Sequence, residues 1–150
     1  WSEFDLAAKE WLVPASRMKA KRDHRVPLSG RVLEILTDAK SLSDGGDLVF
    51  AGTKQGRPLS DMTLSKLVKE LGFEADVHGF RTSFKTWAQE RTNFAREVSE
   101  MALAHVIQNK AEAAYARSDL LDKRRMMMES WAGFLSIEIF ESSTIRPFKK

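Results

Sequence analysis

Cysteine is missing altogether from these 150 residues. That excludes a disulfide framework and any thiolate-based zinc site, and makes a reducing compartment the easier home. No apolar run approaches the roughly 20 residues needed to cross a bilayer, and no signal peptide opens the chain; a soluble cytoplasmic protein with no membrane partner is expected. Net charge is small: 24 Lys and Arg against 21 Asp and Glu leave a formal +3. That excess alone does not demonstrate nucleic-acid binding, although positive charge gathered on one face would serve it. Histidine is scarce, at His24, His78 and His105, and Tyr115 is the single tyrosine. With neither a His-Glu-x-x-His helix nor a clustered carboxylate set, no metal site is expected and no cofactor is implied.

What is present suffices for one domain. Hydrophobic residues make up 43% and aromatics 9%, enough at this length to fill a real core. The expected architecture is mainly α with a small β-hairpin near the N-terminus, residues 1–135 forming the domain and 136–150 a tail. "EWLVPA" (10–15) and "HRVPL" (24–28) read as the hairpin strands, with the basic "SRMKAKRD" as an exposed tip. Ser29 then holds the place of an N-cap, with Leu28 and Leu33 as a hydrophobic staple. Val32, Ile35, Leu36 and Ala39 supply the stripe of a helix to about residue 40. "LVFAG" (48–52) is expected as a short buried strand or extended piece, followed by the polar loop "TKQGRPLS". Ser60 caps a second helix, with Leu59 and Leu64 as staple, Leu64, Leu67, Val68 and Leu71 as stripe, and Gly72 as stop.

From residue 78 onward the pattern is helical almost throughout. Helices are expected at 78–91, at 94–104 capped by Asn93, and at 110–117 opened by a capping box of Asn109 and Glu112. A last one runs from Ser118 to about 135, with Leu121, Met128, Trp131 and Leu135 on a broad apolar face. Phe80, Phe84 and Trp87 are expected in the core. Ile137, Ile139 and Phe140 give the tail an apolar patch that docks on a partner or frays.

The chemistry gathers in "DVHGFRTSFKTWAQER", residues 76–91. His78 and Arg81 are three apart, so on a helix they share one strip of surface, with Lys85 a turn further on. A group that exchanges protons near neutrality, beside a fixed positive fork, suits a phosphate. Taken singly, each residue of interest has an ordinary use: His78 at a helix start, Arg81 in a salt bridge, His105 half-buried behind an apolar helix, Tyr115 in the core, Lys19 as a solvated turn charge. The ordered set of His-x-x-Arg, Leu-x-His and Tyr carries more information than any one pair.

"RMKAKRDHRVPLS", "HGFR", "RTNFAREVSEMALAH", "ALAH" and "AAY" resemble, in order and approximate spacing, the signatures of the tyrosine recombinases, in particular the integrases of prophages and genomic islands. The resemblance covers residues 1 to about 135. It implies that family's catalytic-domain fold and a site-specific recombinase that integrates or excises mobile DNA through a covalent 3′-phosphotyrosyl link. The implied partners are double-stranded DNA and further copies of the chain, assembled as a tetramer on recombination sites in a bacterial cytoplasm, at the nucleoid. Carried across, the resemblance makes Tyr115 the nucleophile, Arg81 a phosphate clamp, and His78 and His105 the histidines beside the phosphate. Lys19 at the hairpin tip, with Lys21 as the alternative, assists the leaving group. Arg22, Lys54, Arg57 and Lys85 are candidates for sequence-independent phosphate contacts.

One family element has no match here, an earlier arginine on the helix before the strand that "WSEFD" resembles. The chain, which opens on Trp1, is therefore expected to be a piece of a longer protein, inactive by itself. A non-catalytic DNA-binding or assembly module of the same fold is the alternative.

Overall fold

In the computed structural model, which describes residues 1–43, 45–54, 56–105 and 118–141, the branched residues of "EWLV" and "HRVP" pair as the expected hairpin. Strands β2 (Glu10–Val13) and β3 (His24–Pro27) are antiparallel, with Trp11 opposite Val26 and Val13 opposite His24. A two-residue strand β1 (Phe4–Asp5) extends the sheet on the other edge of β2. Phe4 stacks on its cross-strand partner Trp11 with ring centroids 5.5 Å apart, a pair of the kind that contributes about 0.2–1 kcal/mol. The basic connection between β2 and β3 starts as a 3-10 turn at Ala15–Arg17 and is exposed from Lys19 to Asp23.

Helix α1 (Gly30–Ser41) opens as expected at Ser29, whose hydroxyl accepts the Val32 amide at 3.4 Å. The Gly30 amide donates to Glu129 at 3.0 Å, placing a carboxylate at the positive end of the helix. Only Leu36 and Ala39 of the expected stripe are buried, and Ile35 is exposed.

The "LVFAG" segment departs from expectation. It makes one isolated bridge, Ala51 with Pro58, and Phe50 is exposed; among the described residues no neighbouring strand extends the pairing into a sheet. Helix α2 (Met62–Glu70) follows. Ser60 accepts the Met62 amide at 3.4 Å, but Asp61 stands at the cap position and its side chain caps nothing. The stop is as expected: Gly72 has φ +84°, the Phe73 amide bonds to the Val68 carbonyl (3.2 Å), and the Gly72 amide to that of Lys69 (2.9 Å), a Schellman closure. The leucine stripe is the larger departure, because no residue of α2 is buried and Leu64, Leu67 and Leu71 are all exposed.

The core lies instead between α3 (Gly79–Glu90), α4 (Arg96–Ala102) and α5 (Leu121–Glu141). Phe84, Trp87 and Ala88 meet Val98 and Met127, with Phe94, Leu103, Trp131 and Phe134 packed around them. Trp131 stands edge-on to Phe84 at 5.6 Å and 5.0 Å from Trp87, geometry that adds about 0.5–1.5 kcal/mol per aromatic pair beyond area burial. Phe80, expected here, is exposed; the core begins one turn later, at Phe84. Helix α4 is shorter than expected and lacks the Asn93 cap: Ala95 precedes it in extended backbone with no side-chain cap. Phe94 packs against the core, which draws the lead-in out of helical conformation.

Helix α5 starts at Leu121 and continues to Glu141, past the expected end near 135. Its buried line is also rotated, running through Arg124 and Met127 with Trp131 and Phe134 beside it, while Leu135 is exposed. The helix expected at 110–117, its Asn109–Glu112 box and Tyr115 lie outside the described residues. Among the described residues, no helix is long and apolar enough to cross a membrane.

Candidate active site

Helix α3 is launched by Asp76, whose carboxylate accepts the His78 amide at 3.1 Å and whose carbonyl accepts that of Gly79 at 2.9 Å. This side-chain turn competes well with other backbone pairings. His78 and Arg81 then stand exposed one turn apart. The Arg81 guanidinium donates through Nη2 to the Leu103 carbonyl at 2.7 Å. That carbonyl belongs to the end of α4, where carbonyls lack intrahelical partners and the helix dipole favours a cation.

The same helix end positions His105. Ala104 takes φ +54°, its amide bonds to the Met101 carbonyl at 3.0 Å, and the His105 amide bonds to that of Glu100 at 2.9 Å. This is again a Schellman closure, with alanine where glycine is usual, at a cost of about 1–2 kcal/mol for the left-handed residue. His105 is folded back over the last turn of α4, where its Nδ1 lies 2.5 Å from Glu100 Oε2. The other carboxylate oxygen of Glu100 accepts the Lys85 ammonium and, at 3.4 Å, Arg96 Nε. Glu100 is 22% exposed. Its hydrogen bond from Lys85 holds the carboxyl down to about 2; burial opposes this, and His105 and Arg96 reinforce it. Lys85, expected at a DNA phosphate, is therefore engaged with Glu100. Two rungs, Arg81 to Leu103 and Lys85 to Glu100, join α3 to α4 one turn apart, with His105 at their end.

The sheet reaches the same place. His24 is half-buried against the Ala102 backbone; burial, then Arg124, lowers its pKa, while Asp119 and the Ala102 contact oppose the shift. It packs the hairpin base. Lys19 and Lys21 are exposed in the turn above, and among the described residues neither is bonded to Arg81 or His105. The structure thus brings Arg81 and His105 to one junction, sets His78 a turn away, and leaves Lys19 on the hairpin. Tyr115 lies outside the described residues.

Sequence reasoning missed two groups. Arg124 is only 1% exposed. Its guanidinium donates to the Asp119 carbonyl (2.7 Å), the Arg25 carbonyl (2.5 Å) and Asp119 Oδ2 (3.0 Å), and Arg25 Nε also donates to Asp119 at 2.9 Å. This cluster fastens β3 to the start of α5. Nothing in "DKRRMMM" separates the buried Arg124 from the exposed Lys123 or from Arg125, which bonds to Glu10 at 3.1 Å. Glu100 did leave a signal: it is an acid four residues after Arg96 and five before His105 in "AREVSEMALAH".

Residues 1–120 match the phage integrase family. The chain belongs to that family, the tyrosine recombinases. This integrase-family chain is 42% identical over 135 residues to prophage integrase IntA of Escherichia coli strain K12, covering 88% of the chain and 32% of that protein. It is 31% identical over 155 residues to the integrase of Enterobacteria phage P4, covering 91% and 35% respectively. With the integrase of Shigella phage Sf6 it shares 32% identity over 143 residues, covering 93% and 37%. The chain spans about a third of the length of these curated relatives. No solved structure matches it. Its fold is the α+β arrangement expected of the family's catalytic domain, mainly helical with a three-stranded antiparallel sheet near the N-terminus.

Proposed function

We propose that residues 1–135 are the catalytic domain, and 136–150 the tail, of an integrase that inserts or excises mobile DNA at double-stranded recombination sites. It works as a tetramer of copies on paired sites, in the bacterial cytoplasm. A free phenol has a pKa of about 10, so the Tyr115 hydroxyl needs an acceptor and gives its proton to His78 or His105 as its oxygen attacks phosphorus. A new P–O bond forms, the bond to the 5′ oxygen breaks, and the 3′-phosphotyrosyl link stores the phosphoester energy for rejoining by the reverse attack. Lys19 supplies the proton that the departing 5′ oxygen takes up. Arg81 hydrogen-bonds the non-bridging oxygens, on which negative charge accumulates. Loss of a comparable donor costs roughly 10²- to 10³-fold in other enzymes. With arginine and lysine supplying this charge, the reading calls for no metal or other cofactor.

The observation that supports this reading is that the Arg81 guanidinium and the His105 imidazole are both bonded to the last turn of α4, the first at the Leu103 carbonyl and the second at Glu100, in a chain that belongs to the family. A second reading, a DNA-binding or assembly module whose chemistry belongs to another chain, applies if the full protein has no counterpart of the family's earlier arginine. One experiment separates them. A longer protein that adds the upstream region with that arginine is incubated with a nicked suicide duplex taken from the DNA bordering its element. A covalent protein–DNA adduct that disappears in Tyr115→Phe is expected. An adduct that survives this substitution refutes the nucleophile assignment, and DNA binding with no adduct favours the module.

A further inference from the structure

Glu100 has no part in the scheme above, yet its carboxylate touches three cationic or protonatable groups, Lys85, Arg96 and His105. Residue 100 holds His105 twice, by its backbone carbonyl to the His105 amide and by its carboxylate to the imidazole. A carboxylate can only accept, so the Nδ1 it faces must carry the hydrogen. In the neutral ring the lone pair that exchanges protons then belongs to Nε2. Free histidine favours the opposite tautomer, so the bond selects a state as well as an orientation. We propose that Glu100 is a positioning residue that fixes His105 as the Nδ1–H tautomer and aims Nε2 at the reacting phosphate. This rests on the recombinase reading.

The neighbourhood suits that role. Lys85 from α3 and Arg96 from α4 keep Glu100 ionised, so the acceptor persists at the pH of the reaction. Arg81, also from α3, is occupied at Leu103 and leaves the carboxylate to His105. His24, from the sheet, touches the neighbouring Ala102 backbone. The charges that act on it are Arg124 of α5 and Asp119 just before that helix. The Lys85 rung ties the orienting carboxylate to the helix that carries Arg81, so histidine and arginine are held to a common frame.

The test has two arms. In the first, 15N NMR of the 150-residue chain at mildly alkaline pH is expected to show the Nδ1–H tautomer for His105. The signal is assigned by its loss in His105→Gln. Glu100→Met, which keeps the length and helix preference but has no acceptor, is expected to move the ring toward the Nε2–H tautomer. In the second, the longer protein and suicide duplex described above give the rate of adduct formation at saturating DNA. Glu100→Met should slow it about 10- to 100-fold, as loss of an orienting carboxylate does elsewhere, with DNA affinity within about twofold. Glu100→Asp should recover part of the rate. An Nε2–H tautomer in the unsubstituted chain overturns the proposal, as does an unchanged adduct rate in Glu100→Met. So does a loss confined to DNA affinity. If the unsubstituted longer protein forms no adduct at all, the recombinase reading falls and takes the catalytic claim with it, while the NMR arm still reports the tautomer.

Discussion

Helices α2 and α3 present the same apolar rhythm and meet different fates. Leu64, Leu67 and Leu71 recur at helical spacing and stay exposed, Leu67 at 47%. Phe84, Trp87 and Ala88 share one helical face in the same way and are buried against Val98, Met127 and Trp131. Periodicity fixes which face of a helix will be covered if anything covers it. It says nothing of whether a partner is there. The partner of α3 is supplied by α4 and α5, whose aromatic and sulfur-bearing side chains fill the space beside it. Most of the stability of this chain should therefore reside in the α3–α4–α5 unit and its anchor to the sheet, with little in α2.

The strongest way to break that contrast is to empty the core. Trp87→Ala should destabilise the chain by about 3–5 kcal/mol, read as a lowered midpoint in chemical denaturation. Arg124→Ala should cost about 2–4 kcal/mol, because it empties a buried site and leaves the Asp119 and Arg25 carbonyls without the guanidinium that satisfies them, while the Asp119 carboxylate keeps Arg25. An Arg124 substitution that costs under about 1 kcal/mol would mean that β3 and α5 do not depend on this cluster.

These two residues also mark the boundary of what the sequence disclosed. Trp87 was readable because a large apolar ring at helical spacing has few other uses. Arg124 was not, since an arginine among Lys123, Arg125 and Asp122 looks solvated until Asp119 and the Arg25 carbonyl are seen to converge on it. The Ser29 cap and the Gly72 stop were readable because their hydrogen bonds lie within a few residues, and the hairpin because two runs of branched residues flank one polar, basic turn. "LVFAG" failed because a strand needs a neighbour that the sequence does not name. At the candidate site, the grouping of His78, Arg81 and His105 came from ordered motifs. The Lys85–Glu100 rung came only with the packing of α3 on α4, which sets residues 15 apart in sequence side by side.

A smaller effect should appear on acidification. The Glu100 carboxyl is held near 2, against an ordinary 4.5, so the folded state binds its proton less readily than the unfolded state. Its contribution is complete above about pH 4.5 and fades as pH falls toward 2. After allowance for solvent screening it amounts to about 1–2 kcal/mol. Unfolding free energies between about pH 5 and 2.5 should fall more steeply for the unsubstituted chain than for Glu100→Gln. His24 acts in a separate window. Its lowered pKa favours the neutral ring in the fold, so its contribution is complete above about pH 6.5 and weakens below it. A steeper slope confined to the higher window would assign the acid sensitivity to the sheet and leave α4 out of it.

Ala104→Gly should raise stability by about 0.5–1 kcal/mol, since glycine takes φ +54° without the Cβ clash. A loss instead would show that the alanine methyl packs well enough to outweigh the strain.

The smallest expected change tests the other side of the contrast. Leu64→Ala on α2 should cost less than about 1 kcal/mol in the 150-residue chain, since the leucine is exposed and much of its transfer free energy is never realised. Alanine's better helix propensity returns a few tenths of a kcal/mol. Leu64 and Trp87 obey the same 3.6-residue period, so the gap between their two measured losses, corrected for side-chain size, isolates what a packing partner adds to a pattern. If Leu64→Ala instead costs more than about 2 kcal/mol, a range reached only by buried side chains, the leucine stripe is packed in solution. The stability attributed to α3, α4 and α5 would then have to be shared with α2.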